Sequence, residues 1–336
     1  MHAGLVVAVL LAIAFAVTNG FLDAASAVAT LVVTRAARPS HAIVLAATFN
    51  LLGPLLVGAA VANTIGGIVT VSQPAASRVI GSGLAAAVAW NLLAWWVAVP
   101  SSSSHALVGG LVGASLLEGG VHAVRWGGLQ GLRPVGVFGT LIALAASPLL
   151  GALAALLTIR ALRRLARRAT RRWRGPVRGA EWTMSAALAF SHGANDAQKS
   201  VGVIAALLLA DGQIHTLATP IWVKLACAAA LTTGTTLGGW RIIRTVGRGI
   251  YRIQPIEAVS SQIASTAVIL GGAFAGAPTS TSQIVASSIV GIGGGRWRWH
   301  HVHWGIVRRI GLAWLITLPA TAALAAAMLG VWRWLV

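Results

Sequence analysis

Acidic residues are scarce in this 336-residue chain: six Asp and Glu stand against 25 Lys and Arg, and charged residues of both signs make up only 9%. A soluble domain of this length needs a charged, hydrated surface that such a composition does not supply. Cysteine is limited to Cys227, which excludes an intramolecular disulfide. The opening residues, Met-His-Ala-Gly-Leu-Val-Val, carry no Arg or Lys ahead of their apolar run. A cleavable signal peptide is therefore not expected, and the segment reads as the first membrane element. The excess of basic charge is not spread as a nucleic-acid-binding surface would need: nine arginines fall between Arg160 and Arg178, and most others flank hydrophobic runs. Juxtamembrane arginine sets orientation and meets anionic lipid, so lipid is an expected partner and nucleic acid is not.

What is present is hydrophobic length. Apolar residues make up 57% of the chain and the mean hydropathy is +0.81. Runs of about 20 apolar residues, the length that crosses a bilayer, recur throughout. The fold class is an all-α polytopic membrane protein, placed in the cytoplasmic membrane. Inside one such run, 182–210, lies Ser191-His192-Gly193-Ala194-Asn195-Asp196-Ala197-Gln198-Lys199. An ionised carboxylate at mid-membrane costs about 2.5–3.5 kcal/mol on insertion scales, and such groups mark transport pathways. Asp196, crowded by Asn195, Gln198 and Lys199, is read that way; the bland alternative is an Asp–Lys pair tying two helices together. Gly193 is expected to weaken the helix and let backbone approach a ligand.

The second half repeats the first. Asn19-Gly20-Phe21-Leu22-Asp23 matches His192-Gly193-Ala194-Asn195-Asp196, and Asn63-Thr64-Ile65-Gly66-Gly67 matches Thr235-Thr236-Leu237-Gly238-Gly239. Pro100-Ser101-Ser102-Ser103-Ser104 matches Pro278-Thr279-Ser280-Thr281-Ser282, and Pro148 matches Pro319. The offsets, by subtraction, are 173, 172, 178 and 171. If 182–210 crosses once and each Ser-rich segment is a two-armed return, the loops at 35–38, 160–178, 241–252 and 296–309 share one face. That face then holds 19 arginines and the other four, Arg78, Arg125, Arg133 and Arg333; a double crossing would split them 12 to 11. The positive-inside rule selects the first arrangement. Residues 1–159 form one membrane repeat, 160–180 an Arg-rich cytoplasmic linker and 181–336 a second, inverted repeat, with both termini outside. This is an inverted-repeat secondary transporter with broken helices and two re-entrant helical hairpins, about 12 membrane segments counting half-helices and hairpin arms.

The broken places carry the chemistry. Pro100 and Pro278 each read as the first turn of a new helix. The hydroxyls of Ser101, Ser102, Ser103 and Ser104 and of Thr279, Ser280, Thr281 and Ser282 then form anion-binding ends that donate hydrogen bonds without fixed charge. Gly109, Gly110 and Gly113 read as packing contacts. Asp23 and Asp196 are the matched carboxylates, able to ligate a hard cation or take a proton. Each follows a Gly-containing break whose freed carbonyls join in ligation. Gln198 and Lys199 join the substrate set, Lys199 either neutralising Asp196 or touching the anion. Glu118, Glu181, Asp211 and Glu257 fall at span ends and are expected to be solvated. A different class of function, an intramembrane hydrolase using Ser103 and His105, is weakened because the second half has Gln283 at the His position.

At these residues the sequence resembles the PiT family of inorganic phosphate transporters, from about residue 15 to 330. The pieces are 19–30, Trp90-Asn91-Leu92-Leu93-Ala94-Trp95 leading into Pro100 to Ala106, Ser191 to Lys199, and Gly238-Gly239-Trp240-Arg241. The resemblance implies a symporter, commonly a homodimer, moving phosphate with sodium or protons and using no cofactor; it implies no enzyme. Some relatives move a metal–phosphate complex and some move sulfate, so a sulfate permease is the same-fold alternative. Asn19, Asp23, Ser26, Asn195 and Asp196 form the coupling-ion set, with Na+ at Asp23 and Asp196 as the metal expectation. Ser26 stands where the family usually has Asn, Leu22 where a polar residue is common, Gln262 near an expected Glu and Gln283 where a His is usual. These departures thin the cation ligands and tilt the coupling ion toward H+.

Overall fold

The computed structural model describes residues 3–335 apart from 72, 74, 132, 169–172, 218, 238–248, 252 and 297–298. The motif at 238–241 and most of the 241–252 loop thus lie outside the described residues. Helix α1 spans Ala3–Val33, α2 Pro39–Leu56, α3 Ala60–Gly66, α4 Ala75–Trp96 and α5 Ser103–Gly119. A small antiparallel hairpin, β1 (Gly128–Gln130) and β2 (Arg133–Val135), precedes α6 (Gly136–Leu165). There follow α7 (Arg174–Ala210), α8 (Ile221–Leu237), α9 (Pro255–Ala275), α10 (Thr281–Gly295) and α11 (Trp304–Leu335). Seven helices among the described residues are long and apolar enough to cross a membrane. Their outer surfaces carry apolar side chains, such as Leu149, Leu153 and Leu157 on α6 and Leu312, Leu315 and Ile316 on α11.

Two expectations about breaks are corrected. Helix α1 runs unbroken through Asn19-Gly20 and α7 through Gly193-Ala194-Asn195. These glycines serve close packing: a Cβ on Gly20 would collide with the backbone oxygen of Leu231 in α8, and one on Gly193 with that of Asn50 in α2. A side chain would force the helices apart, so the small residue admits a neighbouring backbone and not a ligand. The break falls instead at 57–59, between α2 and α3. The connection at 118–135 contains the β-hairpin.

The two hairpins are formed by α4 with α5 and by α9 with α10, and each packs on the long helix of the opposite half, α11 and α6 respectively. Helices α1 and α7 cross-pack in the same reciprocal way, α1 on α8 and α7 on α2. The end of α1 meets the start of α7: Thr34 Oγ1 donates to Glu181 Oε2 at 2.7 Å, and Arg178 Nε donates to the Ala36 carbonyl at 2.9 Å. Glu181 and Glu257 are buried, not solvated. Glu257 caps α9, accepting from the Gln254 N–H at 2.8 Å, and pairs with Arg296 where α10 ends. Both arms of the second hairpin therefore return to one face. Glu118 likewise closes α5 against Arg78 and Arg333.

Candidate functional site

Helix α7 is buried at every residue from 191 to 200, so its polar cluster occupies the centre of the molecule. The two hairpin tips meet it there. Each tip is an N-cap: α5 starts at Ser103 behind Ser102, and α10 at Thr281 behind Ser280, with the prolines two positions earlier and not in the first turn. Ser102 Oγ accepts from the His105 N–H at 3.3 Å, the arrangement by which a hydroxyl satisfies a free helix donor.

The tips touch each other through hydroxyls. Ser102 Oγ and Ser280 Oγ are 2.9 Å apart. Ser104 Oγ donates to the Thr279 carbonyl at 3.3 Å, and its counterpart Ser282 Oγ donates to the Ser101 carbonyl at 3.1 Å. Ser103 Oγ donates to Asp23 Oδ2 at 3.3 Å, and its counterpart Thr281 Oγ1 donates to Asp196 Oδ2 at 2.8 Å. The paired residues in each comparison stand 178 positions apart. All eight tip residues lie at this junction and are buried.

The carboxylates behind the tips are not alike. Asp196 Oδ1 accepts from Asn195 Nδ2 at 2.9 Å and pairs with Lys199, while His192 Nε2 lies 2.9 Å from Oδ2. The three donors of the Lys199 ammonium are filled by Asp196, Ser104 Oγ at 2.6 Å and the Thr279 carbonyl at 2.9 Å. The Asp196–Lys199 pair thus lies within one helix and ties α7 to both tips, a use the sequence reading split into alternatives. Asp23 has the Ser103 hydroxyl and no cation of its own: at the 173 offset the position of Lys199 is taken by Ser26 and that of His192 by Asn19. Both amide atoms of Asn19 are buried without a partner, as are Asn195 Oδ1 and Thr279 Oγ1. Ligand atoms of Asp23, His192 and Asp196 lie within 4.8 Å of one another, and the two carboxylates are the oxygen donors of the group that suit a hard cation. Ser26 is buried one turn beyond Asp23.

Gln198 is placed differently from the rest. Its Oε1 accepts from the Val61 and Ala62 N–H groups at 2.9 and 3.3 Å, capping α3, while its Nε2 is buried and unpartnered. His105 Nδ1 sits 2.7 Å from Ser102 Oγ and not on Ser103, so the Ser103–His105 pair of a hydrolase is absent from this arrangement. Sequence reasoning missed three supports. Asn50 Oδ1 faces His192 Nδ1 at 2.9 Å, Ser147 Oγ accepts from the Ser280 N–H at 3.2 Å, and Thr317 Oγ1 is 2.9 Å from Ser101 Oγ. Ser147 and Thr317 stand just before the matched prolines Pro148 and Pro319, the signal that pointed to them.

Apolar spans around two facing hairpin tips, with hydroxyls at the seam and carboxylates behind it, define a helical membrane protein of the transporter class. The Phosphate transporter family matches at residues 19–181 and 166–325, and the chain belongs to that family. It is similar to proteins named probable low-affinity inorganic phosphate transporter. The one from Mycobacterium tuberculosis (strain H37Rv) is 40% identical over 94% of this chain and 74% of its own length. The one from Bacillus subtilis (strain 168) is 37% identical over 95% and 94%. A solved structure described as the sodium-dependent phosphate transporter shares the fold with a TM-score of 0.87 over the whole of both chains, at 22% identity. These relatives are transporters and not enzymes, which removes the hydrolase alternative.

Proposed function

We propose that this chain is a secondary active symporter that carries inorganic phosphate across the cytoplasmic membrane, driven by protons or sodium ions. The observation that carries the reading is the reciprocal junction at Ser102 and Ser280, with Ser103 and Thr281 each reaching a carboxylate behind it. Hydroxyls and helix N-terminal N–H groups donate to a tetrahedral oxyanion without holding it by fixed charge. On this reading the eight tip residues bind the anion as the tips part, and Lys199 supplies the adjacent positive charge.

Coupling falls to Asp23. Asp196 is occupied by Lys199, Asn195, Thr281 and His192, whereas Asp23 accepts from one hydroxyl, and Asn19, four residues before it on α1, has an unpartnered amide. One ammonium against two carboxylates leaves a single negative charge, which one monovalent cation or one proton cancels. That cancellation matters because a negative interior opposes anion uptake by about 2.3 kcal/mol per charge per 100 mV. The halves 1–159 and 181–336 act as oppositely oriented repeats joined by the 160–180 linker on the cytoplasmic side. Reciprocal packing of the hairpins and the antiparallel meeting of α1 with α7 support that arrangement.

The test is reconstitution into proteoliposomes with labelled phosphate and an imposed pH or sodium gradient. Concentrative phosphate uptake following one of the two gradients is expected. Preferential accumulation of sulfate would replace the substrate, and uptake indifferent to both gradients would remove the symport mechanism.

A further inference from the structure

At the Gly136 end of α6, opposite the end that carries Arg160, Arg163 and Arg164, a cavity of about 310 Å³ is lined by Asn63, Thr64, Arg125, Gln130, Arg133 and Gly276. Among the described residues, Arg78, Arg125, Arg133 and Arg333 lie on the face at that end, and they divide in two. Arg78 and Arg333 are both tied to Glu118. Arg125 and Arg133 are exposed, and among the described residues neither has an ion pair or a side-chain hydrogen bond. No acid lines the cavity. An arginine pair left without a carboxylate in a concave site attracts oxyanions, because guanidinium donors match phosphate geometry and a cleft concentrates the field.

The backbone holds these side chains in place. The Arg125 N–H donates to the Ile68 carbonyl at 2.9 Å, and its own carbonyl accepts from Val137 at 2.9 Å. Arg133 is fixed by its register opposite Gln130 in the β-hairpin. The open end of that hairpin is flanked by Gly127 and Gly136, both at positive φ, where a Cβ would strike the backbone of Val135 and of Arg125 respectively. The cavity wall at Gly276, held by Thr64 Oγ1 at 2.8 Å, is three residues from Thr279 in the second hairpin tip.

We propose that this cavity is an outer capture site for a phosphate group, in which Arg125 and Arg133 hold the oxyanion above the second hairpin tip before it reaches the hydroxyl junction. The proposal rests on the reading of the chain as a phosphate carrier whose arginine-rich face is cytoplasmic. The chemistry it requires, a doubly liganded phosphate oxyanion, is shared by inorganic phosphate and a lipid headgroup; the aqueous mouth over the tip favours the free ion.

The experiment compares the parent protein with R125Q/R133Q in proteoliposomes of phosphatidylcholine alone and with added phosphatidylglycerol. The double variant should raise the KM for external phosphate about tenfold, the low end of electrostatic focusing, with the maximal rate unchanged. That difference should shrink in 1 M salt, where the Debye length is about 3 Å. R125K/R133K should fall between the two. R78Q, which removes one positive charge from the same face but away from the cavity, should leave KM at the parent value. An unchanged KM in R125Q/R133Q, or an equal rise in R78Q, overturns the capture site. A rise confined to phosphatidylglycerol vesicles assigns the arginines to lipid and also overturns it. Equilibrium binding of inorganic phosphate to the purified protein separates this proposal from the transport reading. A salt-sensitive class of binding lost in R125Q/R133Q supports the cavity even in a protein that proves not to accumulate phosphate, whereas its retention in that variant overturns the cavity alone.

Discussion

At the scale of single residues, the two carboxylates that sequence symmetry makes equivalent have different tasks. Asp196 is the counter-charge of a fully buried ammonium, and removing it leaves Lys199 uncompensated. Breaking a buried pair in that way costs about 3–5 kcal/mol. Asp196→Asn should therefore lower the unfolding temperature of the purified protein as well as abolish uptake. Asp23→Asn should unfold at the parent temperature yet fail to concentrate phosphate under either gradient. Matched melting curves for the two variants, or concentrative uptake by Asp23→Asn, would contradict this division. Replacing both Ser102 and Ser103 by Ala should weaken phosphate binding at the junction by about 1.5–3 kcal/mol for each hydroxyl lost to the anion, read as a fall in affinity without loss of membrane insertion. The pairing of Asp23 with Asp196 and the hydroxyl tips were legible because an acid or a run of serines in an apolar chain has no cheap alternative. The difference between the acids was half-visible: Lys199 and Ser26 occupy corresponding places, but only the folded arrangement reveals that the ammonium is filled by both tips. Gln198 deceived the sequence reading because an amide next to a site looks the same whether it faces a ligand or caps a helix.

Among the elements, the two hairpins meet each other at their tips. Their tips are joined by hydroxyl contacts, whereas each hairpin is fastened to a long helix by backbone-to-backbone approach: a Cβ on Gly113 would collide with the Ala322 carbonyl of α11, and one on Gly291 with the Ala152 carbonyl of α6. Gly109 and Gly113 meet α11 in this way and Gly110 meets Gly83 of α4, which is the packing role read for all three. Relative movement should therefore occur at the tip seam, not along these helix contacts. Cysteines at 102 and 280, in a background where the buried Cys227 is replaced by Ala, should cross-link on mild oxidation and stop uptake, and reduction should restore it. Uptake that persists after complete cross-linking would show that the tips need not part. Hairpins were legible from prolines and serines, since irregular backbone in a membrane must be buried or face water. Continuity of α1 and α7 was not legible. Glycine beside polar residues looks alike whether it interrupts a helix or admits a neighbour, and only the positions of Leu231 and Asn50 decide.

For the molecule as a whole, the arrangement of charge makes a claim about direction. A cysteine placed at the exposed Arg167 position should resist impermeant thiol reagents in intact cells and react once the membrane is opened. Labelling from outside would reverse the orientation and move Arg125 and Arg133 to the cytoplasmic face. The helical membrane class followed from hydropathy because a bilayer imposes length and leaves few options; the β-hairpin and the cavity beside it did not, because short polar loops carry no periodicity.

The crossed fastening of hairpins to helices also has a temporal side. The first hairpin, α4 with α5, packs chiefly on α11, the last of the described helices, and only slightly on α6 and α7, which are made sooner after it. During synthesis at 5–20 residues per second, it waits on the order of 10–40 s before its partner is made. Throughout that interval four serines and a carboxylate-facing tip sit in the bilayer without the surface that later encloses them. Ribosome pausing, helper proteins of the insertion machinery and quality-control proteases would all act on that exposed intermediate, so substitutions at the α5–α11 contact should affect the amount of protein in the membrane before they affect its rate of transport.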